Sequence, residues 1–260
     1  MDTLLAAHDE ILDNIDGRMH GPMNQFIEKH FGHFQYIHQD GLLKIQPRGR
    51  ASSQFAIPPA APSPDDFLHW FSQCVSGGLD GARGAWHIHP AESGDAEDGA
   101  RVLFTITPSP ASKVETEWDH VQVVGQFYQN GYVCYRNGLV ELCRSAYQVF
   151  ARQPTRLFLH GFYIRGSLIE FWVFDRSGLY CSEVFHTQND LVQFLSVILS
   201  YQRMTDQELG KSDLIQIDDG GSYIAPDSID GTLFGKALSR QPTYRLSLGF
   251  DWGWNNLLQG

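Results

Sequence analysis

The chain has 260 residues, 42% of them hydrophobic and 19% charged. That balance belongs to a folded globular protein, and it excludes disorder over the whole length. A net charge of −11 with only 19 Lys and Arg argues against a general nucleic-acid or anionic-membrane surface.

The first elements are helical. "DTLLAAHDEILDNI" spaces Leu4, Leu5, His8, Ile11 and Leu12 as one helix face. "GPMNQFIEKHFGHF" predicts a second helix with Pro22 in its first turn. A Pro/Ala/Ser-rich loop covers 47–64. "SPDDFLHWFSQCVSGG" then predicts a helix with Ser63 as N-cap, Asp66 completing a capping box, and Phe67, Trp70, Phe71 and Cys74 on its apolar face. Gly77 is its expected stop.

"GAWHIHP" and "RVLFTITP" read as strands on either side of an acidic loop, and "DHVQVVGQFY" as a third. "NGLVELCRSAYQVFARQ" is a helix. Three strands follow, "RLFLHGFYI", "LIEFWVFD" and "GLYCSEVF", joined by turns at 165–167 and 175–178. Gly178 is expected to supply a positive φ in the second turn. Thr187 and Asp190 are expected to cap "NDLVQFLSVILSYQR", and Thr205 a short turn of helix.

The order predicts an α+β fold, a mixed α/β sandwich with a central sheet flanked by helices. Residues 1–210 read as that domain and 211–260 as a short-strand appendage. Cys74, Cys134, Cys143 and Cys181 are too scattered for a disulfide framework or a CxxC pair. Buried thiols are expected for Cys74 and Cys143. The first twenty residues lack a signal-peptide pattern, and no apolar run approaches the ~20 residues of a membrane span. An intracellular location, cytoplasmic or nuclear, is expected.

Residues 154–210 contain Trp172, Val173, Phe174, Asp175, Arg176, Ser177 and Gly178 in one hairpin, then a helix, then Glu208, Leu209 and Gly210 in a turn. This text resembles the fungal-type protein kinase domain family, whose hairpin reads "lrlw.fDRsG". "WDHVQVVGQFYQN" is similar to the family's "vlvvgElK" strand, and "DGRMHGPMNQFIEKHF" to its opening helix. The resemblance therefore spans about residues 16–210. It implies a region that precedes the kinase fold proper. Within the 260 residues there is no Gly-rich loop, no "VAIK"-type lysine, no His-Arg-Asp loop and no Asp-Phe-Gly. Lys236 is the only lysine near a plausible strand of the tail. The sequence at hand stops where that machinery would begin.

The "vlvvgElK"-like strand also resembles a restriction-endonuclease-like PD-(D/E)XK core, in which Glu and Lys hold a metal ion and orient water. Here the matching positions are Gln126 and Tyr128, a candidate degenerate site. Asp119 lies seven residues away, ~23 Å along a straight strand at ~3.3 Å per residue. The preceding strand offers Thr105 and Thr107 instead of an acid. Arg144 and Lys113 are the replacements that a migrated site would use.

Other candidates are weaker. His87 and His89 share a strand face and would bind zinc only with His120, His160 or His186. Asp175 and Arg176 could contact a ligand, yet Asp175 is better read as closing the turn through its carboxylate. Asp218 and Asp219 lack calcium-loop spacing. The aromatic stripes at 67–71 and 171–174 read as core.

The expected function is a non-catalytic binding or regulatory module that acts through a protein partner and uses no cofactor. Two alternatives stand beside it. One is a degenerate or weakly active metal-dependent nuclease domain. The other is a kinase fragment without independent activity.

Overall fold

One mixed sheet organises the protein in the computed structural model, which describes residues 15, 17–32, 63–75, 82–90, 99–107, 117–129, 135–212, 215–218 and 221–224. Strands β1 (Met19–His20), β2 (Ala85–Pro90), β3 (Gly99–Thr105), β4 (Val121–Tyr128), β5 (Phe158–Arg165), β6 (Leu168–Asp175) and β7 (Leu179–Cys181) lie in the order β1-β7-β6-β5-β4-β3-β2. Strand β8 (Phe185–His186) also pairs with β6. The ladders β2–β3, β3–β4, β5–β6 and β6–β7 are antiparallel, whereas β4–β5 and β1–β7 are parallel. Helix α3 (Tyr135–Arg152) makes the β4–β5 crossover. The expected mixed α/β fold with a central sheet flanked by helices is borne out.

Two apolar layers hold the sheet. On one face lie α1 (Phe26–Phe31), α2 (Pro64–Val75) and α4 (Leu191–Tyr201), which share a core with Val102, Phe104, Val123, Phe127, Phe162 and Phe171. On the other, α3 buries Leu139, Leu142, Cys143, Ala146 and Phe150 against Leu103, Val124, Leu159 and Trp172. Strand β4 is central and covered on both sides, so all eight of its residues are buried. Helix α2 follows its sequence pattern: Phe67, Trp70, Phe71 and Cys74 are all buried. Phe67 stacks on Phe127 with centroids 4.2 Å apart, and Trp70 on Phe194 at 6.0 Å. Ser63 and Asp66 form the capping box, with Asp66 N donating to Ser63 Oγ at 3.2 Å and Ser63 N to Asp66 Oδ2 at 3.3 Å.

Several boundaries differ from the sequence reading. Helix α1 starts at Phe26, not at Pro22, because Gln25 takes a left-handed conformation at φ 58 that turns the chain into the helix. The strand expected over 178–185 is two strands. Ser182 interrupts it, donating its N–H to Phe171 O and accepting from Phe171 N, both at 2.9 Å. Gly178 does not carry the positive φ; Gly166 in the preceding turn does, at φ 57. Gly178 is needed for close approach, since a Cβ there would lie 2.5 Å from Arg18 O. Thr187 does not cap α4. Asp190 is the boundary residue, and its carboxylate accepts from His186 N at 2.8 Å. Thr205 exchanges hydrogen bonds with Glu208 as a capping residue would, but 206–210 is a turn and not the short helix expected.

Residues Ile215–Asp218 (β9) and Gly221–Ile224 (β10) form a separate two-stranded antiparallel sheet. The helix expected at 2–15 (apart from Ile15), Gly77, Lys113, Cys134, Asp219 and Lys236 lie outside the described residues. Cys74 and Cys143 are buried free thiols, as expected, and Cys181 is half-buried.

Candidate functional site

A bulge decides which side chains of β4 reach which face. The β3–β4 register pairs Phe104 with Val123 but Thr105 with Val121, leaving Gln122 over. Gln122 turns inward instead, donating to His120 O at 2.8 Å and accepting from Arg156 Nη2 at 2.7 Å. Beyond it the alternation is regular. Val124 and Tyr128 belong to the α3-side core, and Gln126 stands between them on the same face.

The same registers build a polar row across five strands: His89 opposite Arg101, Arg101 opposite Gln126, Gln126 opposite Tyr163, and Tyr163 opposite Glu170. The row lies near the carboxyl ends of the parallel strands β4 and β5, where open α/β sheets place ligands. One register further, Tyr128 is beside Arg165. Gln126 is 2% exposed and Tyr128 7%, so both are packed beneath the helical layer.

Arg165 and Glu170 dominate the electrostatics of the row. Arg165 Nη2 donates to Glu170 Oε1 at 3.0 Å, with both side chains largely buried. The guanidinium also lies 4.6 Å from the Tyr135 ring and 5.8 Å from that of Tyr163. Burial raises the Glu170 pKa, and Arg165 opposes that shift without reversing it. The Tyr135 and Trp172 side chains also present donors to the Glu170 carboxylate and, with Arg165, favour its charged form. Burial first, and then the Glu170 charge, raise both the Tyr135 phenol and the Cys181 thiol, the latter to about 11. Gly138 lets the first turns of α3 close over Tyr163, whose ring would collide with any Cβ there.

The donor set of the row is two guanidiniums, an amide, two phenols, an imidazole and one carboxylate. Divalent metals of the magnesium type want several converging oxygen anions. Gln126 keeps the shape of a Glu without its charge, and the neighbour across β3 is a cation. The sequence reading looked for the missing acid at Thr105 and Thr107. The antiparallel register places those at the opposite end of β4 and puts Arg101 next to Gln126. Arg101 lies with its guanidinium over Trp118 at 5.0 Å.

The other candidates scatter. His87 bonds Thr105 Oγ1 at 2.9 Å on the edge strand. His160 packs on the opposite face against Phe31 and Tyr201, and His186 lies in β8. Among the described residues no three His, Cys, Asp or Glu side chains come together as a metal cage. Asp175 closes the hairpin, its Oδ1 accepting from Ser177 N at 2.7 Å and Gly178 N at 2.8 Å. Arg176 donates to the Pro154 carbonyl and lies over Phe150. Asp119 sits in a 3-10 turn before β4, and Arg144 pairs with Glu141.

Sequence reasoning missed Arg156. It is 1% exposed and donates to Leu209 O, Val121 O, Gln122 Oε1 and Gln153 Oε1. It thus ties the start of β4 and the end of α3 to the 205–210 turn. An arginine before a strand carries no local signal of burial, so only the fold exposes this role.

The same stretch that builds the row and this hub is the stretch that similarity marks. The profile described as fungal protein kinase matches residues 102–243. The chain belongs to the fungal protein kinase family. The match begins within β3, so it excludes the opening helix that the sequence text suggested, and it runs beyond residue 210 into the tail. No curated protein and no solved structure matches the chain. Within this family member, the matched segment contains β4, α3, the β5–β6 hairpin and α4. No helix among the described residues is long and apolar enough to cross a membrane.

Proposed function

We propose that this member of the fungal protein kinase family is a non-catalytic binding module, equivalent to the region preceding the kinase fold, and that it acts through a protein partner. One observation carries the reading. The single carboxylate of the strand-end row, Glu170, is committed to Arg165 at 3.0 Å, and the position that would hold a second, Gln126, faces Arg101. Such a set neutralises itself instead of gathering a metal ion. The missing Gly-rich loop, β3-type lysine, His-Arg-Asp loop and Asp-Phe-Gly of the 260 residues support the same reading against phosphoryl transfer. Residues 211–260 are an appendage to the module in this proposal.

A second reading has its own support. The order α2, β2, β3, β4, α3, β5, with β5 parallel to β4, agrees with the restriction-endonuclease-like resemblance, and Gln126 and Tyr128 share the face that a Glu-x-Lys pair would need. This reading makes the row a degenerate nuclease site.

The test is direct. The purified chain is incubated with magnesium or manganese and plasmid DNA, single-stranded DNA or RNA, and separately with ATP and a generic protein substrate. Both assays are expected to be flat. Metal-dependent cleavage that Glu170→Gln abolishes would overturn the first reading in favour of the second.

A further inference from the structure

The chain from Ile15 to α1 straps one edge of the sheet. Ile15 is buried in the α3-side core, β1 runs parallel to β7 along the edge, and α1 buries Phe26 and Phe31 in the core of the opposite face. Between these anchors Gly17, Met19, His20, Gly21 and Pro22 are exposed. The attachment to the edge is thin. Leu179 N donates to Arg18 O and Met23 N to Cys181 O, both at 2.9 Å, on either side of a two-residue ladder. A Cβ at Gly21 would collide with Cys181 Sγ, so the strap lies directly on that thiol.

The α1 end closes on two imidazoles. His30 and His160 meet edge to face with centroids 6.1 Å apart. Phe31 lies beside them, 5.4 Å from His160, 5.5 Å from Tyr201 and 6.2 Å from Phe171. His160 Nε2 bonds the Glu208 carbonyl at 3.2 Å, which fixes the proton on that nitrogen. Nδ1 is buried without a hydrogen-bond partner, so a second proton would stand against aromatic rings with no acceptor. The charged side chains beside the pair are cations, Arg156 by His160 and Lys29 by His30. The Glu208 carboxylate is taken by Thr205, and α4 contributes Tyr201, a phenol that burial keeps protonated. Burial first, and then these neighbours, hold both histidines neutral.

We propose that residues 18–31 are an acid-released strap: protonation of His30 and His160 undocks α1 and frees the β7 edge while the rest of the sheet stays folded. The opening is local because only Phe26 and Phe31 leave the core with it, and few backbone bonds hold the segment. It bares the Phe171 and Tyr201 rings that Phe31 covers. Docked, neither imidazole takes a proton above about pH 4. Released, each does so below ~6.5. Opening is therefore independent of pH above that value and grows as pH falls through it. At pH 5.5 one released histidine multiplies the opening constant by roughly ten, and two by roughly a hundred. The device is independent of the binding-module reading.

The test uses the thiol beneath the strap. The full chain is labelled with a dithiodipyridine at pH 7.5 and 5.5, each cysteine is followed by peptide mass, and rates are divided by those of the urea-unfolded chain at the same pH. Cys181 labelling is expected to rise tenfold to a hundredfold on acidification. Cys143, buried under α3, is expected to stay protected, because it reports opening of the whole domain. His30→Leu is expected to remove about tenfold of the Cys181 rise. A flat Cys181 rate, a parallel rise at Cys143, or the full rise in His30→Leu overturns the proposal. Deuterium uptake by residues 23–31 of the unsubstituted chain, corrected for intrinsic exchange, gives a second measure that needs no variant. It is expected to quicken at pH 5.5, and unchanged protection there overturns the strap as well.

Discussion

Arg165 and Glu170 meet at 3.0 Å across the β5–β6 hairpin, beneath the first turn of α3. Their register partners are Leu168 and Tyr163, so the contact is diagonal. The pair is the charged centre of the polar row, and it explains why a carboxylate can stand in an otherwise apolar layer. Arg165→Ala leaves the Glu170 carboxylate buried without its cation and is expected to cost about 3–5 kcal/mol. The cost should shrink on acidification. Glu170 has a raised pKa, so the folded state keeps a proton that the unfolded chain releases, and the penalty exists only above the unfolded carboxyl pKa. Urea unfolding of the variant at pH 8 and near pH 4.5 checks this. An equal loss at both would contradict the account.

Arg156 is expected to behave differently, because it serves backbone carbonyls and amides and no carboxylate. Burial lowers its pKa to about 9, yet it stays charged at neutral pH. Arg156→Lys should destabilise almost as much as Arg156→Met, since an ammonium cannot copy a fork that reaches Leu209, Val121 and Gln122. Hydrogen exchange should report the loss first in the 205–210 turn. A lysine variant as stable as the parent would remove the hub.

Acid should loosen the face that carries α1 and α4. Burial lowers His160 to about 3, with His30 the next contributor, and burial lowers His30 itself to about 4. Both histidines are neutral in the folded protein. The unfolded chain takes up their protons below its ordinary value of ~6.5, so stability is complete above that pH and falls as pH drops toward 4. Melting temperature followed from pH 7.5 to 4.5 should decline, and His160→Phe should flatten the slope. An unchanged slope in that variant would reject this assignment.

The aromatic contact between α2 and α4 carries much of the same face. Trp70→Ala and Phe194→Ala are each expected to cost about 3–5 kcal/mol. The stacked rings should couple by ~0.5–1.5 kcal/mol in a double-mutant cycle. Purely additive losses would mean that the stack adds nothing beyond burial.

Rebuilding Glu-x-Lys on β4 should damage the fold instead of restoring a metal site. Gln126→Glu buries a charge opposite Arg101, and Tyr128→Lys buries an ammonium beside Arg165. The double variant is expected to lose about 3–5 kcal/mol, chiefly from the buried ammonium at 128, because the carboxylate at 126 gains Arg101 as a counter-ion. Magnesium should not recover its melting temperature. A magnesium-dependent rise would favour the nuclease ancestry.

Amino-acid order alone determined the secondary structure wherever one periodicity ran unbroken. Phe67, Trp70, Phe71 and Cys74 marked α2, Leu139 to Phe150 marked α3, and alternation with turn residues marked the β5–β6 hairpin. Asp175 was legible as a turn-closer because an Asx turn is local. The candidate site was legible only in part, as the two positions Gln126 and Tyr128. What they face was decided by the fold. The bulge at Gln122 resets the alternation of β4, and antiparallel pairing brings Arg101, not Thr105, beside Gln126. Ser182 splits a strand because its side chain replaces a ladder bond, and Gly178 is a glycine because Arg18 passes next to it. Arg156 and the Arg165–Glu170 pair join positions whose partners come from other strands and turns. Periodicity reports which way a side chain points along its own element. Which neighbour it meets depends on register and crossover, and those are set only when the sheet closes against its helices.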